Sequence, residues 1–359
     1  MKVGFYSEPE TGSGIGNYEY ELLHHLSRSA SVDVETITPV EFVVPIVGDY
    51  VSFTQGVSQA LTNISDEYDV IHLPNQFQAA GLLNTDIESE VVVSVHDIIP
   101  YITSKHGNIL SRTFAPVYVR GLAEADHLIT ISEYTKSDLV NNTTISSENI
   151  SVVYPSVDGS HLTDPAPKEV LNEYNITEPY ILYVGQQGSK KNIEVIIEAL
   201  KSLDEDVDFV IAGTPGNPLQ SLRTTYYTKK NGVEDRVLRT GFVKQSVLAR
   251  LFHSASAFVF PSKYEGYGRP PLESMSVGTP VVASTATAIP EILDDAAILV
   301  DPEKPKRWAT AIAEMLEDKE KREAIVEKGY KQYDSFSWAT CASETVEIYE
   351  SVVQRQSSE

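Results

Sequence analysis

Two glutamates, Glu265 and Glu273, stand with seven residues between them, around a loop that carries Gly266, Tyr267 and Gly268. Two adjacent lysines, Lys190 and Lys191, follow another glycine loop, and His96 directly follows the apolar run Val91 to Val95. Carboxylates beside a glycine loop are suited to hold hydroxyl groups. Paired lysines supply the local positive charge that phosphate oxygens need. An imidazole at a strand end can donate to a hydroxyl or to a developing charge. Gly14 and Gly16, nearer the start, bare the backbone for close approach of a ligand. Each feature has a plainer alternative: solvated acids flanking a helix, a surface lysine pair, a structural turn, a histidine closing a strand.

The elements around these residues follow one grammar. Ala257 to Phe260 is too short an apolar run for a helix, ends at Pro261, and reads as a buried parallel strand. The acidic glycine loop follows, then Pro270 and Pro271 open a helix over Leu272 to Val277, which puts Glu273 in its first turn. Gly278 and Pro280 stop that helix before a strand at Val281 to Ala283. In an open parallel sheet ligands sit beyond the carboxyl ends of the strands, where loop amides and helix N-termini meet anions. Further strands are expected at Val3 to Tyr6, Val32 to Ile37, Tyr68 to Leu73, Asp126 to Ile131 and Val152 to Tyr154. The second half repeats the pattern at Tyr180 to Val184, Asp208 to Ala212, Arg236 to Arg239 and Ala296 to Val300. The fold class is therefore α/β. The proline-rich stretch from Pro155 to Pro167 divides it into domains at 1–165 and 166–338, with a last helix from about Ala339.

Composition narrows the function. The chain has 359 residues, 42% of them hydrophobic, enough for two cores. A single cysteine, Cys341, excludes an internal disulfide and a multi-cysteine metal site. His24, His25 and His161 lack metal-ligand spacing, so no metal is expected. Lys2 leads straight into a strand, and no apolar run reaches the roughly 18 residues a membrane span needs, so a cytoplasmic protein is expected. A net charge of −23 disfavours nucleic acid as partner. No basic amphipathic stretch is evident, so any peripheral membrane contact is expected to be weak. The dispersed acid excess resembles that of proteins from salt-accumulating halophilic archaea.

The segment Pro261-Ser262-x-x-Glu265-Gly266-Tyr267-Gly268-x-Pro270-x-x-Glu273, continuing into Gly278-Thr279-Pro280-Val281-Val282 and Pro290-Glu291, resembles the signature of the retaining GT-B glycosyltransferases of family four. Gly14-Ile15-Gly16 with Tyr18, the Val93-x-x-His96-Asp97-x-x-Pro100 string and Ile131-Ser132-Glu133 resemble further segments of that family. The resemblance implies two Rossmann-like domains, an interdomain cleft and a C-terminal helix that crosses back to the first domain. It implies a nucleoside diphosphate sugar donor, a glycan or polyprenyl-linked acceptor and no metal or other cofactor. Most often the transfer would be of mannose from GDP-mannose, with glucose from UDP or ADP donors or a catalytically silent binding protein as alternatives. Carried over by position, Lys190, Lys191 and the glycine amides would face the diphosphate, and Glu273 the ribose. Glu265 and His96 would face the donor sugar, with Gly14 and Gly16 near the phosphates. The family usually reads Pro-Arg-Lys-Asn where this chain reads Ser189-Lys190-Lys191-Asn192, and Gln186 stands where some members have arginine. The resemblance therefore implies a thinner phosphate clamp than in those members, resting mostly on Lys191.

Overall fold

The computed structural model describes residues 1–7, 14–38, 49–64, 66–104, 109–204 and 206–356. The chain forms two compact units, one of Met1–Ser156 with Ser337–Glu359, the other of Val157–Phe336. The first break lies within the Pro155-to-Pro167 stretch, and the terminal helix Trp338–Gln356 belongs to the first unit.

The first unit holds six parallel strands, β1 (Lys2–Tyr6), β2 (Asp33–Ile37), β3 (Val70–Leu73), β4 (Glu90–Val95), β5 (His127–Thr130) and β6 (Ile150–Val152), in the order β2-β1-β3-β4-β5-β6. β6 lies slightly earlier than the expected Val152 to Tyr154. The second holds β7 (Tyr180–Val184), β8 (Asp208–Ala212), β9 (Val237–Gly241), β10 (Ala257–Phe260), β11 (Val281–Ser284) and β12 (Ile298–Val300), in the order β12-β11-β10-β7-β8-β9, again parallel. Helices connect the strands and cover both faces of such sheets, which is why β3, β5, β10 and β11 are buried at every position and are mostly apolar, with His72, His127, Thr130 and Ser284 as buried exceptions. The edge strand β2 differs. Asp33 and Glu35 leave it largely exposed, and Lys2 pairs with Glu35 across from β1, a charged edge that resists further pairing.

Several helices depart from expectation, three of them in the following ways. Gly14–Leu26 begins at the glycines rather than at Tyr18. Asp49–Thr62 forms in a stretch without clear apolar period. Pro218–Asn231 is a helix that the sequence pattern does not announce. Packing is close where the Ile109–Leu122 helix meets the turns at Gln76–Asn84. A Cβ on Gly121 would lie 1.8 Å from the Ala79 carbonyl oxygen. Backbone cannot yield as a side chain can, so Gly121→Ala is expected to cost about 3 kcal/mol, read as a lower denaturant midpoint with unchanged slope.

Candidate active site

Strand order reverses between β7 and β10 in the second unit, and the loops after these two strands carry the lysines and the acidic segment. This is the switch point where an open α/β sheet takes its ligand. The backbone there is drawn tight. Gly185 and Gly213 adopt φ of +140° and +127°, the Gly185 amide donates to Ala212, and a Cβ on Gly213 would lie 2.3 Å from the Gly185 carbonyl oxygen. Ser189–Lys191 forms a single tight turn closed by Asn192 at φ 53°. The Asn192 amide group donates to the carbonyls of Pro261 (3.1 Å) and Pro302 (2.8 Å), and the Lys263 amide donates to Lys190 at 2.7 Å. These bonds stitch the lysine loop to the end of β10.

The result is a contact that the sequence reading does not contain. Lys191 Nζ donates to Glu265 Oε1 at 2.6 Å, with the two side chains only 32% and 14% exposed. The lysine also lies 5.8 Å from the centre of the Phe260 ring. Glu265 is held from the other side, where its amide donates to Thr287 Oγ1 at 2.9 Å. Lys190 projects into solvent beside this pair. A compact ion pair at a switch point can open to admit a ligand that satisfies both charges: an anion for the lysine and hydroxyls for the carboxylate.

The glutamate helix runs Arg269–Ser276 and starts from Gly268, at φ 112°. Glu273 therefore lies in its second turn rather than its first, beyond the helix N-terminus expected to stabilise it. Burial raises the Glu273 carboxyl pKa, and Arg269 and His161 work against that rise. Gly266 is buried, and so is the Tyr267 side chain, which packs edge-on to Phe336 with ring centres 6.0 Å apart. That packing holds the loop in place.

In the first unit the order reverses between β1 and β3. Gly14 and Gly16 lie in the first turn of the helix that follows β1, at the positive end of its dipole, while Gly12 lies outside the described residues. Tyr18 on that helix is buried, with its ring edge-on to His96 at 4.6 Å. His96 Nε2 donates to the Pro74 carbonyl at 3.0 Å, which fixes the tautomer, and its amide donates to Gln76 at 3.2 Å. Ser132 caps the Glu133–Asn142 helix by accepting from the Thr135 amide.

Behind His96 runs a polar chain through an otherwise apolar core. The Tyr18 hydroxyl bonds Ser94, Ser94 bonds His72 Nε2 at 2.8 Å, and His72 Nδ1 bonds the Tyr349 hydroxyl of the terminal helix. The sequence signal is a histidine within the strand Val-Ile-His-Leu. Burial, with a smaller contribution from His96, drives the His72 pKa down to about 3.

Among the described residues no cluster of three or more histidines, cysteines or acids could hold a metal ion, and no helix is long and apolar enough to cross a membrane. A cavity of about 1010 Å³ in the second unit lies at the opposite end of the strands, against Pro179, Val207, Ser256 and Pro280, each of which immediately precedes a strand. Its position is the wrong end of the sheet for a ligand site of this fold class.

Comparison with known proteins covers both units. Residues 12–161 match the family model Glycosyltransferase Family 4, and residues 168–332 match Glycosyl transferases group 1. O-antigen chain mannosyltransferase B of Escherichia coli is 29% identical over 237 residues, which is 64% of this chain and 61% of that protein, less than two thirds of its length. Among solved structures, sucrose-phosphate synthase from Thermosynechococcus elongatus matches with a TM-score of 0.80 at 18% identity, over 99% of each chain. HepE of Anabaena, in complex with UDP and glucose, matches with a TM-score of 0.77 at 19% identity, over 98% of this chain and 100% of that one. These likenesses show the GT-B fold.

Proposed function

Because the chain belongs to the GT-B glycosyltransferases described by those two models, one in each unit, we propose that it moves a hexose from a nucleoside diphosphate sugar to a glycan or lipid-linked acceptor. The observation that carries this reading is the Lys191–Glu265 pair at the β7/β10 switch point. As the bond from the anomeric carbon to the β-phosphate oxygen breaks, Lys191, with Lys190 beside it, takes the negative charge that collects on the leaving diphosphate. Released from the lysine, Glu265 accepts hydrogen bonds from donor-sugar hydroxyls and faces the positive character of the ring. Glu273 holds the ribose hydroxyls. The acceptor oxygen bonds to the anomeric carbon on the face the phosphate leaves, and its proton passes to a phosphate oxygen. Configuration is then retained, and no protein nucleophile is needed.

Two donors have support. The mannosyltransferase relative favours mannose, for which GDP-mannose is the donor to test first. The fold neighbour bound to UDP and glucose favours a uridine donor. Calorimetry with GDP-mannose, UDP-glucose, UDP-N-acetylglucosamine, UDP-galactose and ADP-glucose separates them. One donor is expected to bind selectively, with slow release of free nucleotide, and both signals are expected to vanish in Glu273→Ala. A folded protein that binds none of the five is instead a silent GT-B binding protein.

A further inference from the structure

The Pro218–Asn231 helix is built inside out. Its buried residues are Gln220, Thr224 and Thr228, whereas Leu219, Leu222 and Tyr226 are 77%, 66% and 60% exposed. The inward face is polar because it meets polar groups. Gln220 donates to Glu194, and Thr224 donates to Gln187, both buried. Three of the seven large apolar side chains exposed among the described residues thus sit on this one helix. At about 100° per residue they form a stripe about 60° wide. Arg223 and Lys230 flank one side of the stripe, and Lys229 the other. Lys230 lies 6.0 Å from the Tyr226 ring centre, and Arg223 pairs with Glu194.

Charge says what covers the stripe. The helix has no aspartate or glutamate. Residues 209–264, which contain it, hold eight lysines and arginines against two acids, Glu234 and Asp235, in a chain of net charge −23. We propose that this helix is a docking surface for an anionic lipid bilayer, lying in the headgroup plane with Leu219, Leu222 and Tyr226 inserted and Lys229 and Lys230 at the phosphates. Basic residues on both sides of a narrow apolar stripe fit an interfacial helix. The acidic remainder of the chain is no obstacle, since charges more than about 8 Å away are screened at physiological ionic strength. The proposal does not depend on the transferase reading.

The test is flotation of the full chain with phosphatidylglycerol-containing vesicles and with pure phosphatidylcholine vesicles. Binding is expected to the anionic vesicles alone and to weaken as salt rises. Leu219→Ser with Leu222→Ser is expected to lower partitioning by about tenfold or more. Lys229→Gln with Lys230→Gln is expected to lower it by roughly fivefold per charge and to flatten the salt dependence. Both variants should melt like the parent and keep its donor binding. Equal binding to neutral vesicles, or leucine variants that bind unchanged, overturns the proposal. So does a dimer, seen by light scattering, that the leucine variants abolish while vesicle binding is absent; the stripe would then join two copies of this chain. Vesicle binding without donor binding would leave this surface standing and sink the transferase reading instead.

Discussion

Lys191→Ala is expected to lower kcat/KM for nucleotide-sugar turnover by about a thousandfold, the upper end of what one charged donor to a leaving group is worth. Two losses combine. The first is the cation that faces the diphosphate. The second follows from the 2.6 Å contact with Glu265, because removing the lysine leaves a mostly buried carboxylate where the donor's negative charge must settle. The double variant Lys191→Ala with Glu265→Gln separates them. If the carboxylate does harm once uncovered, the double variant binds donor better than Lys191→Ala alone, yet its single-turnover rate stays low because neither charge remains. Strictly additive losses would mean that the pair is not coupled and that Glu265 meets the sugar independently. Lys191→Arg keeps the charge with a bulkier, forked head, and is expected to retain activity within about tenfold. A Lys191→Ala enzyme of near-normal kcat/KM would place the diphosphate elsewhere.

That contact shows what a sequence carries and what it withholds. β7, β8 and β10 occupy the residues read from their apolar runs, because a strand covered on both faces is mostly apolar. The loops that hold Lys191 and Glu265 are equally plain, being marked by glycine, proline and charge. Their meeting is not, since the residues are 74 apart and only the reversal of strand order brings β7 beside β10. Local pattern also misleads where the protein breaks the usual rule. In Pro218–Asn231 the polar residues face inward onto Gln187 and Glu194, so the apolar period points away from the core. The start of the glutamate helix at Arg269 is hidden because Pro270 and Pro271 read as residues before a helix, although proline is well tolerated in a first turn. His72 is visible as a histidine in an apolar strand. Its partners Ser94 and Tyr349 come from β4 and from the far end of the chain.

The buried histidines of the first unit set its acid limit. His72 and His127 are almost wholly buried, and burial is the main cause that lowers their pKa values from 6.5 to about 3 and about 4. Each stays neutral in the folded unit while its unfolded counterpart takes up a proton below about pH 6.5, so the unfolded state binds more protons as pH falls. The stability they contribute is complete above pH 6.5 and declines from there down through the folded pKa values. By about pH 4.5 each has lost about 2 to 3 kcal/mol, together a large share of a domain's usual 5–15 kcal/mol. Asp138, raised to about 6 chiefly by burial, works in the opposite direction, since the fold then holds a proton that the unfolded chain does not. Its half-exposed position makes that offset the smaller. Hydrogen exchange followed by mass spectrometry resolves the two units, and strands β3 to β5 are expected to lose protection steeply between about pH 6.5 and pH 4.5. His72→Gln keeps polar atoms near Ser94 and Tyr349 but cannot take up the proton. It is expected to be less stable at neutral pH, with a shallower pH slope by about one proton. A slope unchanged by that substitution would mean that His72 titrates in the folded unit much as it does in water, and that the chain from Tyr18 to Tyr349 is not sealed from solvent.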